Sequence, residues 1–163
     1  MRFRMAVSML IAMALAASLA AQTKISGTLQ CAKADPQYAI PVGDRPDHAF
    51  TISKAKCTWS TPFEMAGVAA RDYEYTAFDD VSGSRARGRS VGIVTMANGD
   101  RCFVAVQGTG TVKEGVQQTA EGTWSYTGGT GKLKGIKGKG TYKGKATPDG
   151  VFTFEIEGEY QLP

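Results

Sequence analysis

From Gly128 to Tyr142 the chain reads Gly-Gly-Thr-Gly-Lys-Leu-Lys-Gly-Ile-Lys-Gly-Lys-Gly-Thr-Tyr. Glycine this dense excludes a helix interior, because each one adds backbone freedom that a helix must suppress, and it enters positive φ without a Cβ clash. Such a segment marks a sharp corner between strands. The residues on either side alternate apolar and polar with period two, and turn residues separate the runs. Eight strands are expected, over 24 to 31, 48 to 58, 71 to 80, 85 to 96, 101 to 112, 117 to 127, 138 to 147 and 151 to 161. No window carries a helical stripe, so helix is confined to short loop segments.

Turn chemistry sets the expected registers. Asn98-Gly99 tolerates the positive φ of a two-residue type I′ turn, which places Val94 opposite Phe103 and Ile93 opposite Val104. Val81-Ser82-Gly83-Ser84 is a weaker turn of the same kind. Pro148-Asp149-Gly150 suits a three-residue loop pairing Thr147 with Val151. That register sets Lys143 opposite Glu155, Thr141 opposite Glu157 and Lys139 opposite Glu159 on one face. It sets Tyr142 beside Ile156, Gly144 beside Phe154, and Ala146 beside Phe152 on the other. Eight antiparallel strands of this size close most readily into a barrel, since closure removes both exposed edges; a β-sandwich is the alternative. In strand 101 to 112, Phe103 and Ala105 are apolar on one face and Val104 and Val106 on the other, so its outer side is expected to be covered, for instance by a second subunit.

The first twenty residues read as a leader rather than as fold. Arg2 and Arg4 precede an apolar run from Ala6 to Ala17, and Ser18-Leu19-Ala20 is a small-residue cleavage site. The domain organisation is therefore a signal peptide over 1 to 20 and one β-barrel domain over 21 to 163. The mature chain is exported, periplasmic or secreted, with no segment apolar and long enough to insert in a membrane. Loss of two of the 19 basic residues leaves side-chain charge at 17 − 15 = +2, which argues against a nucleic-acid partner. In an oxidising compartment cysteines pair. Cys31 and Cys57 end two similar strand-like runs joined by a proline-rich loop, and are expected to form a disulfide. Cys102, inside an apolar run, is expected to remain a buried thiol.

Three motifs in order, Gly108-Thr109-Gly110, Glu121-Gly122-Thr123-Trp124 and the glycine-rich corner from Gly128 to Tyr142, resemble the allene oxide cyclase and dirigent barrel superfamily over about residues 108 to 146. The resemblance implies an eight-stranded antiparallel barrel with an apolar cavity, a homo-oligomer (dimer or trimer), and, for the enzymes of the family, chemistry on a reactive apolar substrate inside the barrel. The matching residues are turn and packing residues, so no catalytic role transfers to a position here. The N-terminal half, including Cys57-Thr58-Trp59-Ser60-Thr61-Pro62-Phe63-Glu64, resembles small exported bacterial proteins of undescribed function.

Catalytic motifs are few. His48, the lone histidine, follows Asp47 and reads as a strand-edge residue bonded to its loop rather than as a general base. Gly128 to Gly135 fails as a phosphate loop, because Leu133 follows Lys132 where Ser or Thr should meet magnesium, and Tyr126 replaces the first glycine. Metal spacing is absent and no cofactor is implied. Asp72, Glu74, Asp79 and Asp80 are read as a solvated face. The candidate ligand-binding set is aromatic: Tyr73, Tyr75, Trp124, Tyr126, Tyr142, Phe152 and Phe154, with Gly140, Gly144, Ala146 and Gly158 on the same face leaving room for a small apolar molecule. Two functions are carried forward. One is non-catalytic binding of a hydrophobic small molecule, or an envelope-associated structural role. The other is an isomerase or cyclase-like enzyme. An ionisable group with a perturbed pKa in the cavity is what discriminates them.

Overall fold

The structure is a computed structural model that describes residues 22–61, 63–149 and 151–163. The expected leader lies outside the described residues. The strands are β1 (Thr23–Cys31), β2 (Gln37–Pro41), β3 (His48–Trp59), β4 (Glu64–Met65), β5 (Val68–Ser82), β6 (Arg85–Met96), β7 (Arg101–Lys113), β8 (Val116–Gly129), β9 (Lys137–Ala146) and β10 (Phe152–Gln161), with one 3₁₀ turn at Gly131–Leu133. β1 pairs with both β10 and β3, and β3 also pairs with β5, so eight strands close antiparallel into a barrel, with β2 and β4 added outside the ring. The sandwich alternative is thereby set aside.

The registers show how steeply the strands tilt. Gln30 stands level with Thr153, Lys145, Thr119, Thr111, Arg85, Ser82 and finally His48, while Gln30 itself pairs with Thr58. One circuit therefore returns ten residues displaced along β3, from His48 to Thr58. A stagger of that size forces strong tilt and sets the width of the interior.

Three local expectations differ from the structure. The proline-rich loop contains β2, an edge strand on β3, whose Tyr38, Ala39 and Ile40 lack the alternation that a half-buried strand shows. The short β4 pairs with β5 across Ala66-Gly67, both at positive φ. The turn at Asn98-Gly99 takes three residues, not two. Gly99, at φ 87°, follows Asn98, and Met96 N donates to the Asp100 carbonyl at 2.8 Å, which sets Ile93 opposite Phe103 and Val94 opposite Cys102. The expected pairs were one residue out. Asn98 explains the longer loop, because its side-chain oxygen accepts from the Asp100 amide at 3.0 Å and draws that residue into the turn. Around Pro148 the expected register holds at every pair, from Phe152 with Ala146 to Glu159 with Lys139.

Cys31 and Cys57 form a disulfide across the β1–β3 pair, and Cys102 is a free, fully buried thiol that burial pushes up to about 12. On the outer face, Tyr38, Ile52 and Phe78 stand level on β2, β3 and β5, with Val91 and Ile93 beyond them on β6, and all five side chains are exposed in the single chain. Phe103 and Ala105 continue this strip on β7, half-buried.

Candidate functional site

One end of the barrel is shut. The segment between β3 and β5 folds under it with Phe63 and Met65 buried, and the glycine-rich corner adds Leu133 and Ile136. Tyr126 Oη donates to Met65 Sδ at 3.3 Å, and the Ala66 amide reaches Tyr160 Oη at 3.4 Å, so the plug is tied to barrel strands. Above it lies an internal cavity of about 140 Å³. Its walls are mostly aromatic and aliphatic, and one carboxylate, Asp79, faces into it.

Asp79 stands on β5 with the parity of Tyr73, Tyr75 and Ala77, which puts it inside, while Asp72, Glu74 and Asp80 take the opposite parity. The expectation that all four carboxylates share a solvated face is corrected by this one residue. Burial pushes the Asp79 carboxyl above its ordinary value, and the hydroxyl of Thr51, its neighbour on β3, works the other way. The circuit of registers explains how a carboxylate fits. Level with Asp79 around the wall come Gly88, Gly108, Gly122 and Tyr142 on β6, β7, β8 and β9. A Cβ on Gly88 would fall on the Asp79 carboxyl group, and one on Gly108 would fall on Tyr142 Oη and the Glu121 carbonyl. The carboxylate and the phenol thus lean towards each other over a stretch of wall without side chains. Burial, followed by the Asp79 charge, pushes the hydroxyls of Tyr75 and Tyr142 up to about 12, so both stay neutral donors. Tyr73 and Tyr126 are pushed up as well, chiefly by burial.

The aromatic set is distributed unequally. Tyr73, Tyr75 and Tyr142 line the cavity around Asp79; Trp124, Tyr126 and Phe154 line it too. Phe152 does not. It packs on Phe154 with ring centroids 4.7 Å apart. The room expected beside Gly140, Gly144 and Gly158 is filled: the Trp124 ring lies on Gly140 and Gly158, and the Phe152 and Phe154 rings lie on Gly144. Small residues facing large ones interlock there, as close packing favours. Gly88 and Gly108 are covered in the same way, by the Asp79 carboxyl and the Tyr142 hydroxyl, but these are polar groups at the cavity wall rather than packed rings. Asp79, Ser90, Val106 and Trp59, which the sequence reading left out of the candidate ligand-binding set, also line the cavity. Trp59 also carries the one buried side-chain nitrogen without a hydrogen-bond partner among the described residues.

The other motifs are structural. His48 is buried at the start of β3, bonded through Nδ1 to Asp44 of its own loop and through Nε2 to Asp80 at 3.1 Å. In the glycine-rich corner the Lys132 amide donates to Asp100 Oδ2 at 3.0 Å, so a protein carboxylate occupies the place a phosphate would need.

No family model and no curated protein matches the chain. Among solved structures it is similar to a pterocarpan synthase dirigent protein, 11% identical over 86% of this chain and 95% of that one, with a TM-score of 0.50. It is also similar to a protein of unknown function of the DUF3224 family from Shewanella oneidensis MR-1, 16% identical over 88% and 100% of the two chains at TM-score 0.47. A pyocyanin demethylase is 18% identical over 81% and 99% at TM-score 0.43. At these identities the likeness is one of fold alone: the chain forms a closed eight-stranded antiparallel barrel, as the dirigent protein does.

Proposed function

We propose that this chain, exported and disulfide-bonded, binds a small and mainly apolar molecule inside its barrel, oriented by Asp79. The observation that carries the reading is the 140 Å³ cavity with aromatic walls and one inward carboxylate. Export is supported by the leader-like residues 1 to 20 and by the Cys31–Cys57 bridge. A dry cavity of about 150 Å³ takes a benzene-sized molecule, which sets the scale of the ligand's buried part. Toluene should raise the melting temperature of the purified protein, because a ligand bound only by the folded state stabilises it by mass action. Val106, between Ser90 and Trp124 on the inner face, is the position to fill. Val106→Phe should abolish the shift while the variant still melts cooperatively. A wild-type protein indifferent to toluene would overturn the reading.

A second reading is catalytic: an isomerase or cyclase-like activity with Asp79 as the acid or base. It is favoured by the upward push that burial gives that carboxyl, since a general acid needs a pKa nearer the working pH than a free carboxylate has. A likeness of fold adds no chemistry. A ligand recovered from the protein as a mixture with its own isomer supports catalysis. Recovery unchanged supports binding alone.

A further inference from the structure

Asp79 is a carboxylate without a cationic partner. Among the described residues the ion pairs engage Asp44, Asp72, Glu74 and Asp80, not Asp79. The one cation bordering the cavity, Arg89 beside Gly88, turns its guanidinium over the Phe78 ring, 5.9 Å from the centroid, and makes no ion pair with Asp79. Inside, the groups facing Asp79 are Thr51 on β3, Tyr75 on β5 and Tyr142 on β9. None of them carries positive charge. An unpaired carboxylate removed from water is costly, and a cation brought to it recovers much of that cost. The surroundings suit an organic cation better than a metal ion. The carboxylate lies on the cavity wall with the neutral, electron-rich rings of Tyr73, Tyr75 and Tyr142 lining the same space, and aromatic rings attract an organic cation.

Resting on the reading of the cavity as a ligand site, we propose that the ligand is a small organic ammonium ion whose charged nitrogen pairs with Asp79 and whose apolar body, of benzene size, fills the aromatic part of the cavity. Neutral molecules of the same shape fit the walls but leave the carboxylate alone.

Isothermal titration with benzylamine, benzyl alcohol and toluene separates this inference from the reading beneath it. Benzylamine should bind at least about tenfold more tightly than toluene at neutral pH, the gain expected of a hydrogen bond to a charged group. Its affinity should fall as the pH is lowered through the ionisation of Asp79, while that for benzyl alcohol does not fall. Asp79→Asn should bring benzylamine down to the level of toluene and leave toluene binding in place; if that variant does not fold, the wild-type pH dependence carries the same distinction. Toluene or benzyl alcohol binding as tightly as benzylamine overturns the ammonium inference and leaves the cavity reading standing. So does a benzylamine preference that survives in Asp79→Asn. No binding of any probe overturns both.

Discussion

At residue scale, Asp79 and Gly88 act as one unit. The Asp79 carboxyl titrates above its unfolded value, so its contribution favours folding fully below the unfolded pKa and is lost as pH rises through the folded one. Asp79→Asn removes that penalty. We expect its melting temperature to exceed that of the wild type at neutral pH, with the two converging in acid; a variant less stable at both ends would show that the carboxylate contributes to the fold instead. Gly88→Ala puts a methyl where the Asp79 carboxyl group lies, and the Phe78 carbonyl oxygen is 2.8 Å from the same point. Overpacking of this kind costs about 1–3 kcal/mol. Most of that cost should disappear when Gly88→Ala is made in an Asp79→Ala background. A double-mutant cycle with no coupling would show that Gly88 serves the backbone alone. Asp79 was legible in principle, since Tyr73, Tyr75, Ala77 and Asp79 share one parity, but the adjacent Asp80 makes the pair look like an exposed acidic turn.

At the scale of elements, the hairpins show how far local chemistry reaches. The β9–β10 register followed from Pro148-Asp149-Gly150, and the β6–β7 register was missed by one residue because the Asn98 side chain draws Asp100 into the turn. A shift of one exchanges the faces of a strand, so that small error would have put Cys102 outside and Phe103 inside. The disulfide ties β1 to β3 over a sequence separation of 26, and the chain-entropy account assigns such a loop about 3–4 kcal/mol. Replacing both Cys31 and Cys57 with Ala should lower the unfolding free energy by that order in urea titration. Peptide mapping without reductant should recover the two joined and Cys102 alone. Cys102 should resist alkylation until the protein unfolds, because burial holds its thiol protonated.

At the scale of the molecule, charge and shape are arranged by rows that cross strands. Lys143 stands between Glu155 and Glu121, and Lys139 opposite Glu159, so basic residues that look like a run along the chain alternate with acidic ones on the surface. They do not need to close into tight pairs; surface ion pairs contribute only about 0–1 kcal/mol, and proximity suffices to cancel the field. Fluorescence anisotropy should find no salt-sensitive DNA binding. Micromolar affinity with a steep salt slope would show an uncompensated patch.

The sequence by itself determined the eight strands of the ring, the β9–β10 register, the disulfide and the corner between β8 and β9, because period-two alternation, turn residues and cysteine pairing act over a few neighbours. Only the tertiary structure decided where the interior is full and where it is hollow. Gly140, Gly144 and Gly158 look like the open positions, yet Trp124, Phe152 and Phe154 reach across from neighbouring strands to cover them. Gly88, Gly108 and Gly122 stand beside Asp79 only because the registers around the barrel bring them level, and each register inherits every turn before it. Space inside a barrel is a property of that closed circuit, with its ten-residue stagger, and no single segment of chain encodes it.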